Sequence, residues 1–130
     1  MSARAGMRSP LGRAVGVGSA KEGVQHWWMQ RVTAVALVPL TLWFVVALIA
    51  HIGARRAVVV AWLGSPFAAI AMVLLLIAVF YHMALGIEVV IEDYVHSERM
   101  KIPALILNRL AAIVLGAAGI FAVLRIALGS

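Results

Sequence analysis

The stretch YHMALGIEVVIEDYVH, Tyr81 to His96, is apolar except for a histidine near its start, acids toward its end and a closing Asp-Tyr-Val-His. Behind it the apolar run reaches back to Phe67. A helix over 67–91 is long enough to cross a bilayer at 1.5 Å per residue, with ~20 residues required. The rest of the chain is read as membrane helices set against this one.

Composition supports that reading. At 130 residues the chain is one domain at most; 65% of it is hydrophobic and 12% charged. With a mean hydropathy of +1.06, a soluble domain could not hide so much apolar surface, so the excess faces lipid or other subunits. The absence of cysteine removes disulfides, thiolate metal sites and cysteine nucleophiles. The net charge of +6 does not indicate nucleic-acid binding, because the basic residues flank apolar runs.

Residues 1–25 are polar, basic and rich in Gly, Ser and Ala, with no apolar core of a secretory signal. Their Arg and Ser content fits a transit peptide or a flexible cytoplasmic arm, and the arm is adopted here. Gly16-Val-Gly-Ser19 is expected to be irregular. The membrane domain is then 26–130. His26-Trp27-Trp28 marks an interface, where tryptophan rings sit at headgroup level. The first span covers about 32–52, with Thr33 and Thr41 able to bond back to their own helix and Pro39 kinking it rather than ending it. Trp62 to Pro66 is a turn in which Ser65 caps the second span, about 67–91, and Pro66 suits its first turn. A polar link, 92–101, leads to Pro103, which opens a third span to about 128. Gly116 and Gly119 mark that helix as a packing element. The fold class is all-α, with three transmembrane helices and no sheet. Eight Lys and Arg residues lie at the end carrying the N-terminus and the 92–101 link, against Arg55, Arg56 and Arg125 at the other. This places the N-terminus inside and the C-terminus outside.

His82 precedes Asp93 by eleven residues and so lies ~16 Å below the interface, near the midplane. It is either a neutral imidazole bonded to a nearby carbonyl or a ligand to a cofactor. Gly86, one turn on, clears room for a flat macrocycle, and Leu75, Ala78, Leu85 and Val89 complete an apolar wall on that face. These features suit an axial haem ligand. Asp93 and Tyr94 are either a helix-end acid beside an aromatic-belt tyrosine or a hydrogen-bonding, proton-relaying pair for a quinone head. Glu88 snorkels, stays protonated or pairs with an arginine of a partner. His26, His51 and His96 lie at the wrong depth to share a haem with His82, so a second axial histidine has to come from another chain.

HWWMQRVTAVAL at 26–37, followed by H-x3-G-x6-D-Y-V-H at 82–96, resembles the smaller hydrophobic membrane anchor subunit of succinate dehydrogenase, respiratory complex II. The resemblance covers both motifs and all three spans. It implies a second three-helix anchor, with haem b clamped between the two and flavoprotein and iron–sulfur subunits docked on the pair. It makes His82 the axial ligand, Tyr94 the tyrosine that hydrogen-bonds ubiquinone with Asp93 beside it, and Arg31 a neighbour of the haem propionates. The role of His26 stays open between a quinone-site neighbour, a propionate contact and a plain interface residue, and Trp27 and Trp28 are expected to pack against the iron–sulfur subunit. Such a subunit has no activity alone and sits in a bacterial inner membrane, or less readily a mitochondrial one. The anchor of a fumarate reductase and a haem-free structural or assembly protein are the alternatives. A transporter is disfavoured because there is no inverted repeat.

Overall fold

The computed structural model describes residues 19–129. Residues 1–18 of the expected basic arm, 1–25, lie outside that range. Four helices follow in order: α1 (Ser19–Ala50), α2 (Arg56–Leu63), α3 (Pro66–Tyr94) and α4 (Glu98–Ala127). No strand occurs among the described residues. Three of the four, α1, α3 and α4, are long and apolar enough to cross a membrane, and α1 remains one helix through Pro39.

The helix ends differ from the sequence reading in four places. Helix α1 starts at Ser19, so residues 19–25 are helical rather than irregular. Glu22 lies in the first turn, where an acid is favourable. Helix α4 starts at Glu98, which reduces the link to 95–97 and leaves Pro103 inside the helix rather than opening it. Ser97 occupies the extended cap position, Glu98 the first turn, and the backbone N–H groups of Met100 and Lys101 donate to the Ser97 carbonyl. Helix α2 had no counterpart in the sequence reading. Ser65 does stand at the start of α3, but its hydroxyl donates to the Trp62 carbonyl at 2.6 Å and does not cap the helix.

The turn after α1 depends on Gly53, whose φ of 75° lies in the region most side chains avoid. Helix α2 then lies across the ends of α3 and α4. Trp62 joins a ring cluster there, with centroids 5.8 Å from Trp43 and 4.5 Å from His51, and Phe67 meets Trp43 edge-on. A Cβ at Gly64 would come 3.1 Å from the Val60 carbonyl oxygen and 3.6 Å from that of Ile126. The tight contact is with the preceding turn of α2, while the contact with α4 is an ordinary one.

Helix α3 is the central element: α1 and α4 both pack on it, and α1 and α4 do not pack on each other among the described residues. The buried apolar residues are mostly alanines, Ala47, Ala68, Ala69, Ala71 and Ala78, together with Leu75 and Val123. Large apolar side chains such as Val35, Ile49, Ile70 and Leu107 point outward. This small-inside, large-outside pattern is expected where lipid removes the hydrophobic drive between helices and close backbone approach holds them instead.

Candidate functional site

His82 lies close to the middle of α3, and Thr33 close to the middle of α1. The two meet: Thr33 Oγ1 is 3.0 Å from His82 Nδ1. Thr33 is only 7% exposed and is the buried polar residue among those described. Its hydroxyl also lies 2.7 Å from the Met29 carbonyl oxygen and 3.1 Å from that of Gln30. Thr33 thus bonds back to its own helix, as its position in an apolar span predicts, and adds a contact with His82 that the sequence does not indicate. The imidazole therefore rests on a hydroxyl from the neighbouring helix rather than on a carbonyl.

The other ring nitrogen is free to act outward. No partner for His82 Nε2 is present among the described residues, and no side-chain nitrogen or oxygen there is both buried and unpartnered. Nε2 therefore opens to the surface of the chain. Gly86, one turn along, is also open, since a Cβ there would meet nothing within 4 Å. A basic nitrogen at mid-span beside a cleared backbone fits a haem, which brings its own equatorial ligands. No group of three or more His, Cys, Asp or Glu side chains able to hold a bare metal ion occurs among the described residues. The expected apolar wall is only partly available. Leu75 and Ala78 are buried against the chain's own helices, and Leu85 lines the clefts around Glu88.

Asp93 and Tyr94 form the last turn of α3, about 16–18 Å along the helix from His82. Both are exposed, Tyr94 at 78%. His82 and the Asp93–Tyr94 pair are thus two separate sites on one helix. At the same end, α1 carries His26, Trp27, Trp28 and Arg31. Trp27 and Trp28 stand edge-on with centroids 5.2 Å apart, and the Arg31 guanidinium lies 4.0 Å over the Trp27 ring, a cation–π contact. Arg31 precedes Thr33 by two residues, about 200° around the helix. It therefore leaves α1 on nearly the opposite side and does not meet His82 within this chain. His26 is half-buried in the wall of a cleft of about 540 Å³ that Tyr81, Glu88 and Glu92 also line.

Two polar ties between α3 and α4 were not foreseen. Glu88 pairs with Arg109 of the same chain, whose Nη2 donates to Oε1 at 3.0 Å and Oε2 at 3.3 Å. Beside it, the Asn108 side-chain amide donates to the Ala84 carbonyl at 2.9 Å. The available signal was an Asn-Arg dipeptide inside an apolar run, since polar groups at membrane depth have partners.

Residues 5–124 match the family described as succinate dehydrogenase/fumarate reductase transmembrane subunit. The chain is 34% identical to the succinate dehydrogenase hydrophobic membrane anchor subunit of Paracoccus denitrificans, covering 94% of each chain. It is equally similar, at 34%, to the subunit of that name from Rickettsia bellii, over 89% of this chain and 93% of the relative. A succinate dehydrogenase membrane anchor subunit of Reclinomonas americana is also 34% identical, over 72% of this chain and 80% of its own. No solved structure matches the chain with significance. With the family match running through all three long helices, the chain belongs to the transmembrane subunits of succinate dehydrogenase and fumarate reductase.

Proposed function

We propose that this chain is the smaller membrane anchor of a succinate dehydrogenase and helps to build the place where electrons from succinate reach ubiquinone. The observation that carries the reading is His82, a mid-span histidine on the central helix whose Nε2 opens to the surface of the chain. In this reading His82 would hold a haem b through Nε2. A second three-helix anchor would supply the other histidine, because the remaining histidines of this chain lie near helix ends. Haem b, when bound, supplies a one-electron relay. Gly86 keeps the approach open, and Arg31 pairs with the propionate carboxylates, as a guanidinium suits.

The Asp93–Tyr94 turn forms the quinone contact. The Tyr94 hydroxyl donates a hydrogen bond to a quinone carbonyl, and Asp93 accepts and passes on a proton. The exposed Trp27 and Trp28, with His26, lie at the same end and face the iron–sulfur subunit, on which the flavoprotein sits. The charge count supports the inner side of a bacterial inner membrane for that end, with eight Lys and Arg in the sequence flanking it against three at the other. The relatives' names favour succinate oxidation over fumarate reduction within the family.

The test uses the co-expressed complex. His82→Ala should abolish or shift the b-type haem absorption band, and an unchanged band and midpoint potential would falsify the ligand role. Tyr94→Phe should lower quinone reduction by about tenfold, on the scale of losing one hydrogen bond, while succinate oxidation with a dye acceptor continues. Equal loss in both assays would remove Tyr94 from the quinone site.

A further inference from the structure

We infer that Thr33 is a positioning residue for His82, fixing its tautomer and ring orientation so that Nε2 is presented as the ligand. The inference rests on the haem reading above and adds a residue to it.

The hydrogen positions follow from counting protons. A threonine hydroxyl has one hydrogen and two lone pairs, whereas a carbonyl oxygen only accepts. Of the three atoms around Thr33 Oγ1, two are carbonyl oxygens, and the Met29 oxygen is nearest at 2.7 Å. The hydroxyl hydrogen goes to Met29, which leaves a lone pair directed at His82 Nδ1. Nδ1 must then carry the hydrogen and donate it, and Nε2 is left with its lone pair. That is the tautomer a metal ligand at Nε2 needs.

Burial makes the arrangement strict. Thr33 sits in the α1–α3 interface, away from water that could replace either partner. The alternative tautomer would set an unprotonated Nδ1 against an oxygen whose hydrogen is already engaged. A donor bond from Nδ1 also strengthens electron donation from Nε2 to a bound metal. A stronger donor there would stabilise the ferric state, so this bond would lower the haem midpoint potential.

The experiment is a redox titration of the b-type band, with haem content and low-temperature electron paramagnetic resonance, in the co-expressed complex carrying Thr33→Val, Thr33→Ala or Thr33→Ser. Thr33→Val keeps the shape and removes the acceptor, so it should raise the midpoint potential and shift the ferric g-values. Thr33→Ser should restore both. Thr33→Ala adds no bulk and serves where Thr33→Val does not assemble. Haem loss in the valine or alanine variant with retention in serine also supports the assignment. Unchanged potential and g-values in the valine and alanine variants overturn it, as does equal perturbation by serine. His82→Ala separates the two levels: if it leaves the haem signal intact, the ligand reading fails, whereas an altered His82→Ala signal with a silent Thr33→Val removes only the role of Thr33.

Discussion

Glu88 is held at membrane depth by Arg109. The carboxylate side chain is 13% exposed and the guanidinium 68% exposed, so the pair is half in the protein and half at its surface. Removing Arg109 strands a largely buried charge, which costs more than the pair itself contributes. Arg109→Ala should therefore lower the Tm of the purified complex more than Glu88→Gln does. A double-mutant cycle should give a coupling on the order of 0.5–1 kcal/mol, discounted for the exposed guanidinium. Additive Tm shifts in the double variant would show that the contact stabilises nothing. At this scale the sequence allowed His82 to be singled out, because depth follows from counting residues along one helix. The partners of His82 and Glu88 lie 49 and 21 residues away and required knowledge of which helix faces land together. For Glu88 the information was partly present. In an antiparallel hairpin, residues equally far from the link face each other, and the link at 95–97 brings Glu88 within about a turn and a half of Arg109.

At the scale of the helices, α3 and α4 are held together by close approach. A Cβ at Gly119 would lie 3.2 Å from Leu76 Cδ1, whereas one at Gly116 would meet Phe80 at 3.6 Å, an ordinary contact. The two glycines should thus respond differently to added bulk. Gly116→Ala should leave thermal stability of the complex within about 0.5 kcal/mol of the parent. Gly119→Val places two methyl groups against Leu76 and should cost about 1–3 kcal/mol through overpacking, read as a lower Tm or a lower yield of assembled complex. Equal tolerance at both positions would mean that this part of the interface is loose. The sequence marked both glycines as packing residues, but ranking them required the neighbouring side chains. Helix ends were the least readable feature. Pro103 suggested a helix start, yet Ser97, Glu98 and the two backbone bonds to the Ser97 carbonyl begin α4 before it. Helix α2 was missed because eight residues beside a turn carry too short a periodic signal to stand out.

Across the whole molecule, three spanning helices joined by short connections must alternate in direction, so α1 starts, α3 ends and α4 starts at one side of the membrane. That side gathers Trp27, Trp28, Arg31, Asp93, Tyr94, Arg99 and Lys101, while α2 and Arg125 lie at the other. The three spans were readable from hydropathy alone, and the charge count adds a direction because cations near span ends resist translocation. Alkaline phosphatase fused after Ala54 or Ser130 should be active, and a fluorescent protein inserted after His96 should light up on the inner side. The opposite pattern would invert the molecule and move Tyr94 to the outer surface. The quinone reading depends on this outcome. Electrons from an iron–sulfur subunit can enter only on the side where that subunit docks, and a tyrosine 78% exposed at the far surface would have no donor beside it.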